Sequence, residues 1–148
     1  MKFKCSNHNF LKSLLPINTS PKCYSQHLMD EYSISHILTG LGFYVLFPKS
    51  NYFWALATSL FWEIIEQTDL LKNLFNNLGP IVNIKTQYSG DSILNSLGDN
   101  LFFILGYYIG KQNPKVANNK KAFSILFLLV NASVVYTTYY IENNIYTK

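Results

Sequence analysis

The chain has 148 residues, of which 49% are hydrophobic and 14% are charged. Soluble domains carry about 25% charged residues, so this chain is poor in charge. Its mean hydropathy of +0.07 is nevertheless too low for a chain buried in lipid throughout. The high apolar content and the two cysteines exclude a disordered protein and a disulfide-rich miniprotein. A small integral membrane protein or an unusually apolar soluble helical domain remains.

The net charge of +4 comes from 12 basic residues, all of them lysines. Proteins that read nucleic acids use arginine for bidentate contacts to bases and phosphates. We therefore expect no nucleic-acid partner and interpret the lysines as markers of membrane topology.

Residues 1–32 predict a polar N-terminal arm, followed by a single helical membrane domain over 33–148. The apolar patch Phe10–Leu15 is shorter than the core of a cleaved leader, so we expect an extracytoplasmic or interfacial arm. The spacing of Cys5 and Cys23 fits no metal motif, and whether they pair is left open.

Four apolar segments predict an all-α bundle of four transmembrane helices. They cover residues 33–47, 52–66, 91–110 and 122–141, and the last has no charge over 20 residues. A span needs roughly 20 apolar residues, so the first two are short, tilted or sheltered by neighbouring helices. Between the second and third segments, leucines and a phenylalanine at helical spacing predict an interfacial amphipathic helix over 68–79.

The loop between the third and fourth segments indicates the orientation. Residues Lys111–Lys121 include four lysines and no acid, which predicts a cytoplasmic loop. Alternation then places the N-terminal arm, the connection that carries the interfacial helix, and the C-terminus on the outer side. The four lysines of the arm oppose this orientation.

With this alternation, most ionisable residues near a predicted span fall at the same end of the bundle. Glu63 and Glu66 are three residues apart and share a helix face. Asp91, Asn95 and Asp99 step by four and stack along one stripe. Carboxylates in lipid are costly and face a bundle interior or a wet cavity. The full set comprises the ionisable His27, Asp30, Glu31, His36, Glu63, Glu66, Asp69, Asp91, Asp99 and Glu142, together with the neutral Asn95.

Two chemistries use such a set. Carboxylates and histidine on facing helices hold one or two divalent metal ions, or closely spaced carboxylates share protons and act as general acid and base. The structural alternative is that these groups only hydrogen-bond to each other and hold the bundle together. Candidate catalytic residues and metal ligands are His36, Glu63, Glu66, Asp91 and Asp99, and candidate substrate-binding or orienting residues are Ser35, Ser92, Asn95, His27 and Asp30.

The motifs resemble a known family. They run Ser25-Gln-His-Leu-Met-Asp30, Ser35-His-Ile-Leu-Thr-Gly40, Trp62-Glu-Ile-Ile-Glu66 and Tyr88-Ser-Gly-Asp-Ser-Ile-Leu-Asn-Ser96 followed by Asp99. This order and spacing are similar to the uncharacterised family of bacterial inner-membrane proteins known as domain of unknown function 2585. The resemblance implies an inner-membrane or equivalent organelle location and brings no known activity. The family tends to have a second histidine at Thr39 and an acid at Ser59, which implies fewer ligands here.

We therefore expect a metal-assisted membrane enzyme or binding protein that acts on a lipid or a small envelope substrate, with a divalent metal as cofactor. The alternative is a non-catalytic subunit or assembly factor of a larger membrane complex, with the polar cluster as structural glue. Expected partners are the lipid bilayer and other membrane proteins or a second copy of the chain. A proton or ion pathway would need acids closer to the cytoplasmic end than Asp99, and the sequence has none.

Overall fold

The computed structural model describes residues 27–30, 32–82 and 88–144. Within these residues the chain is helical, with no strand. The helices are α1 (Ser33–Leu46), α2 (Tyr52–Glu66), α3 (Asp69–Leu78), α4 (Ile93–Gln112) and α5 (Lys120–Asn144). Two 3₁₀ turns, Gly79–Val82 and Pro114–Asn118, follow α3 and α4. The all-helical fold class predicted from the sequence is confirmed for the described residues.

Side-chain caps fix where two of the helices begin. The Asn51 side chain accepts a hydrogen bond from the Trp54 amide at 3.2 Å and starts α2. The Ser92 hydroxyl accepts one from the Asn95 amide at 3.1 Å and starts α4. Such caps pair backbone donors that a helix N-terminus leaves free. Asp91 therefore lies before α4, and the predicted stripe of Asp91, Asn95 and Asp99 is wrong at its first member.

Helices α1 and α4 form the closest packed pair, and they are parallel. A Cβ atom at Gly40 would overlap the carbonyl oxygen of Phe103, and one at Gly106 would overlap that of Ile37. Small residues at such positions let two helix backbones approach closely. Further along, Gly110 lies against the Tyr44 ring. Gly106 and Gly110, both in α4, thus serve packing inside the chain.

Helices α2 and α5 run antiparallel to this pair. The Tyr52 ring at the start of α2 lies 5.1 Å from the Tyr107 ring near the end of α4. At the start of α5, Phe123 packs near Gly42 of α1. At the other end, the hydroxyls of Thr138 and Tyr32 are 3.2 Å apart. The four long helices therefore alternate in direction, so the start of α1, the end of α2 and the start of α4 lie together.

Polar and apolar residues are distributed unusually. Among the described residues, nine polar or charged side chains are buried and seven apolar ones are, while large apolar side chains are exposed on every helix. The apolar core consists of Tyr44, Ala55, Phe103 and Tyr107. Within the described residues, the fold therefore buries few apolar side chains and leaves most of the large ones exposed.

Among the described helices, one is long and apolar enough to cross a membrane, over Lys120–Tyr140. Ser33–Leu46 is apolar but shorter; its 14 residues extend about 21 Å, against a hydrocarbon core of about 30 Å. The four-span bundle therefore stays a prediction, and so do the predicted domain limits. Residues 1–26, which include Cys5 and Cys23, and Glu31 lie outside the described residues, so the predictions made for them are not addressed by the structure.

Candidate metal centre

Three ionisable side chains from three helices meet at this end of the bundle. One ligand atom from each of His36 in α1, Glu63 in α2 and Asp99 in α4 lies within 4.8 Å of the other two. The Nε2 atom of His36 is 3.5 Å from Oδ1 of Asp99. Glu63 and Asp99 are buried, and His36 is half-buried. We call these three residues the inner cluster.

The sequence of α2 explains how Glu63 reaches this position. The buried residues of this helix are Ala55, Ser59 and Glu63, which are four positions apart and share one face. Ala55 and Ser59 are small, so the helix approaches the others closely along this face. The carboxylate of Glu63 continues the same face and is thereby placed inside the bundle.

Several oxygens of the inner cluster lack a hydrogen bond. Both carboxylate oxygens of Glu63 and Oδ1 of Asp99 are buried and make no hydrogen bond of good geometry within the described part of the chain, although the Ser96 hydroxyl lies close enough to Glu63 to interact with it. A buried polar atom without a partner costs about 1–3 kcal/mol, and a charged one costs more. A cluster that served only to hold the bundle together would give each of these acceptors a hydrogen-bond donor. The inner cluster is instead short of positive charge and of donors.

The distances suit a small divalent cation. Nitrogen and oxygen ligands bind such cations at about 2.0–2.2 Å, so neighbouring ligand atoms are about 3.0–3.6 Å apart. The separation of 3.5 Å between His36 and Asp99 falls in this range. The limit of 4.8 Å for the whole set requires Glu63 to move by about 1 Å, which a rotation of its side chain supplies. One histidine and two carboxylates favour metals such as Zn²⁺, Mn²⁺ or Fe²⁺ over Cu⁺, which prefers sulfur ligands.

A second group, formed by Glu66, Tyr88 and Asp91, lies beside the inner cluster, and we call it the outer group. The Tyr88 hydroxyl donates a hydrogen bond to Oδ2 of Asp91 at 2.7 Å and also interacts with the Glu66 carboxylate. Burial and the charges of Asp91 and Glu66 raise the pKa of the Tyr88 hydroxyl, so Tyr88 stays protonated and acts as a donor.

Helix α3 holds the outer group in place. The Asn76 side chain accepts a hydrogen bond from the Tyr88 amide at 2.6 Å and donates one to the Tyr88 carbonyl at 3.0 Å. The Phe75 and Tyr88 rings meet at 5.5 Å between centroids. Gly90, with φ of 92°, adopts a backbone conformation that favours glycine and leaves no room for a Cβ atom beside Gln67 and Lys72. These contacts fix Asp91 next to the end of α2.

A third polar network surrounds Asp30. Its carboxylate accepts hydrogen bonds from the Tyr32 amide at 2.9 Å and from the Asn95 side chain at 3.2 Å. The same Asn95 amide group donates to the His27 carbonyl at 2.9 Å. Burial, with a smaller contribution from the charge of Asp91, raises the pKa of Asp30. The network ties the entry of α1 to α4.

Comparison with known proteins identifies the family of this chain. A family model described as "Protein of unknown function (DUF2585)" matches residues 5–145. The chain belongs to this family. The resemblance inferred from the motifs is thereby confirmed, and DUF2585 carries no described activity.

Curated relatives of this DUF2585 chain are named UPF0314 proteins. The one from Paracoccus denitrificans is 35% identical, over 61% of this chain and 49% of the relative. The one from Rhizobium etli strain CIAT 652 is 31% identical, over 87% of this chain and 63% of the relative. The chain thus spans about half of the length of the first relative and less than two thirds of the length of the second. No solved structure matches it.

The structure divides the five predicted ligands of the DUF2585 chain into two groups. His36, Glu63 and Asp99 form the inner cluster, and Glu66 and Asp91 belong to the outer group. Sequence reasoning did not select Tyr88 or Asn76 as site residues. Tyr88 begins the motif that runs to Ser96, three residues before Asp91, and this membership was the signal that could have selected it.

The predicted orienting residues occupy different positions. Ser92 caps α4, and Asn95 and Asp30 form the network described above. His27 is buried with both ring nitrogens lacking a partner in the described part, and the Ser35 hydroxyl is likewise buried and unpaired there. His27 and Ser35 lie outside the inner cluster. Asp69 lies in the first turn of α3, and the side chain of Glu142 is outside the description.

Proposed function

We propose that the protein is a four-span membrane protein whose inner cluster binds a divalent cation. The bound cation would assist a reaction on, or the binding of, a lipid or small envelope substrate. The observation that carries the proposal is the convergence of His36, Glu63 and Asp99, with buried oxygens that have no partner in the described chain. A cation supplies the missing positive charge and accepts these oxygens as ligands.

The distribution of apolar side chains supports a membrane location for all four long helices. Large apolar residues are exposed on each of these helices, including Ile34, Phe61, Leu101 and Leu128. Exposed apolar surface on this scale marks a lipid or protein contact. Polar side chains are buried instead, as the cost of placing them in lipid demands.

Helix α3 supports an interfacial position at the end where the inner cluster lies. None of its residues is buried, and Leu70, Leu74 and Leu78 form an exposed apolar stripe at four-residue spacing. Asn73 and Asn77 form a polar stripe beside it. A helix with this pattern lies flat in the headgroup region. A lipid headgroup would then have access to the end of the bundle that carries the acids.

The lysine-rich connection between α4 and α5 lies at the opposite end. Lys111, Lys115, Lys120 and Lys121 occupy this connection, which supports the cytoplasmic side for it and the outer side for the inner cluster. In this orientation the cation site would serve the outer leaflet of a bacterial inner membrane or an equivalent organelle membrane.

The bound cation would act as a Lewis acid or lower the pKa of a bound water molecule. His36, Glu63 and Asp99 would hold the cation in place.

Metal analysis of the purified full chain tests the proposal. We expect one or more equivalents of a divalent metal per chain, lost in Asp99→Asn and in Glu63→Gln. Asp69→Asn is the matched control, because it removes the same charge from the first turn of α3, away from the inner cluster. Wild-type protein without stoichiometric metal, together with variants that fold and localise normally, would overturn the proposal.

The alternative class is a non-catalytic subunit or assembly factor whose polar residues hold the bundle together. It predicts that Asp99→Asn and Glu63→Gln fail to accumulate in the membrane while Asp69→Asn accumulates normally. It also predicts no bound metal in the wild-type protein. The unpaired oxygens of Glu63 favour the cation site over this alternative.

A further inference from the structure

The inner cluster does not use all of the carboxylates at its end of the bundle. The charges of Asp30, Glu63, Glu66 and Asp91 all act on Asp99, so five carboxylates lie within mutual electrostatic range. One divalent cation balances Glu63 and Asp99. The carboxylates of Glu66 and Asp91 also act on each other electrostatically, so the outer group is a second concentration of acidic side chains beside the inner cluster.

The Tyr88 hydroxyl shows how the outer carboxylates are placed. It lies between Asp91 and Glu66 and interacts with both, but a phenol has only one proton to donate. The donated proton goes to Oδ2 of Asp91 at 2.7 Å. Two carboxylates drawn to the same hydroxyl repel each other, and a cation between them removes the repulsion.

Glu63 provides an independent observation. It is 6% exposed, and neither of its carboxylate oxygens makes a hydrogen bond of good geometry among the described residues, the Ser96 hydroxyl being close without forming one. The inner cluster needs one of these oxygens. Glu63 and Glu66 are three residues apart on α2, and the charge of Asp91 acts on both of them. The Glu63 carboxylate therefore lies between the inner cluster and the outer group.

We propose that this end of the bundle holds two divalent cations bridged by Glu63. The inner cation is bound by His36, Asp99 and one oxygen of Glu63, and the outer cation by Glu66, Asp91 and the other oxygen. Tyr88 is a positioning residue that fixes Asp91. The inference rests on the proposed cation site and extends it to a two-cation centre, in which the ions lie about 3.5–4 Å apart.

Mn²⁺ titration of the metal-stripped full chain in detergent tests the second position, with bound Mn²⁺ counted and its electron paramagnetic resonance spectrum recorded. We expect two Mn²⁺ per wild-type chain, with a spin-coupled spectrum. Asp91→Asn and Glu66→Gln should each leave one Mn²⁺ with an uncoupled six-line spectrum. Tyr88→Phe keeps the ring against Phe75 and should weaken the second binding step several-fold while leaving the first unchanged.

The outcomes separate the two proposals. If the wild-type chain binds one Mn²⁺, which Asp99→Asn removes and Asp91→Asn leaves in place, the second position is overturned and the inner site stands. If the wild-type chain binds none, both are overturned. Asp69→Asn is the control for nonspecific binding, and thermal unfolding of each variant shows that it is folded. Two variants of the outer group are used so that misfolding of one leaves the other as the test.

Discussion

Nε2 of His36 and Oδ1 of Asp99 lie 3.5 Å apart, and this Asp99 oxygen has no hydrogen-bond partner among the described residues. The separation matches that of two neighbouring ligands on one small cation. The two residues come from parallel helices, α1 and α4, whose close approach at Gly40 and Gly106 sets the distance. The packing of these helices thus determines the geometry of the candidate site.

The imidazole of His36 should determine which cations bind. His36→Asp replaces the nitrogen ligand with oxygen, so we expect the affinity for Zn²⁺ to fall by at least about tenfold while Mg²⁺ or Mn²⁺ binding is retained or strengthened, since hard cations prefer oxygen ligands. Competition titrations with a chelating dye measure both affinities. Equal loss of all cations would contradict a ligand role for the imidazole nitrogen and indicate that the variant distorts the site.

Replacement of Glu63 should separate stability from binding. Glu63→Met removes two buried oxygens that lack hydrogen bonds and retains a side chain of similar shape. We expect the metal-free variant to be more stable than the metal-free wild type by about 1–3 kcal/mol. The variant should lose the stabilisation that added metal gives the wild type. Thermal unfolding with and without metal measures both effects, and a less stable metal-free variant would count against the unpaired carboxylate.

Much of the fold and part of the site could be predicted from the sequence. Apolar segments and turns predicted the helices and their alternating directions, and alternation placed His36, Glu63 and Asp99 at one end. The position of Asp91 was wrong because the Ser92 cap starts α4 two residues later than the apolar pattern suggests. Tyr88 and Asn76 contribute through tertiary hydrogen bonds between a loop and α3, and such pairs leave no periodic pattern in a sequence.

The contact between α1 and α4 should be sensitive to a single methyl group. Gly106→Ala places a Cβ atom on the carbonyl oxygen of Ile37, and backbone cannot rotate away, so we expect a loss of about 1–3 kcal/mol of stability. Gly42→Ala is the matched control, because its Cβ atom would meet the ring tip of Phe123 at 3.0 Å, which a side-chain rotation relieves. Both changes alter helix propensity equally. Equal unfolding temperatures for the two variants would contradict the close contact.

Asp30 should make stability depend on pH. Its pKa is raised in the folded chain, mainly by burial, so the folded state binds the proton more tightly than the unfolded state does. Stability is therefore highest near and below the unfolded pKa of about 3.9 and falls as pH rises through the folded value. Asp30→Asn removes this dependence and also loses the hydrogen bond from Asn95, an offset that does not vary with pH.

Denaturant unfolding of the wild type and of Asp30→Asn in parallel at several pH values measures the difference between their free energies of unfolding. We expect the wild type to lose stability relative to the variant as pH rises from acid to neutral. A constant difference across this range would show that burial does not shift the Asp30 carboxyl.

Helix α3 should lie in the membrane interface with its leucines toward the acyl chains. With Cys5 and Cys23 replaced by serine, single cysteines at Leu70 and Leu74 and at Asn73 and Asn77 carry a spin label. In vesicles, labels at the leucine positions should be more accessible to molecular oxygen, which concentrates in lipid, and those at the asparagine positions to a water-soluble nickel complex. All four positions are in the same helix, and both stripes are exposed. Burial within the chain therefore cannot produce a difference in accessibility between the leucine and the asparagine positions. Equal accessibility of all four labels to both reagents would place α3 away from the interface.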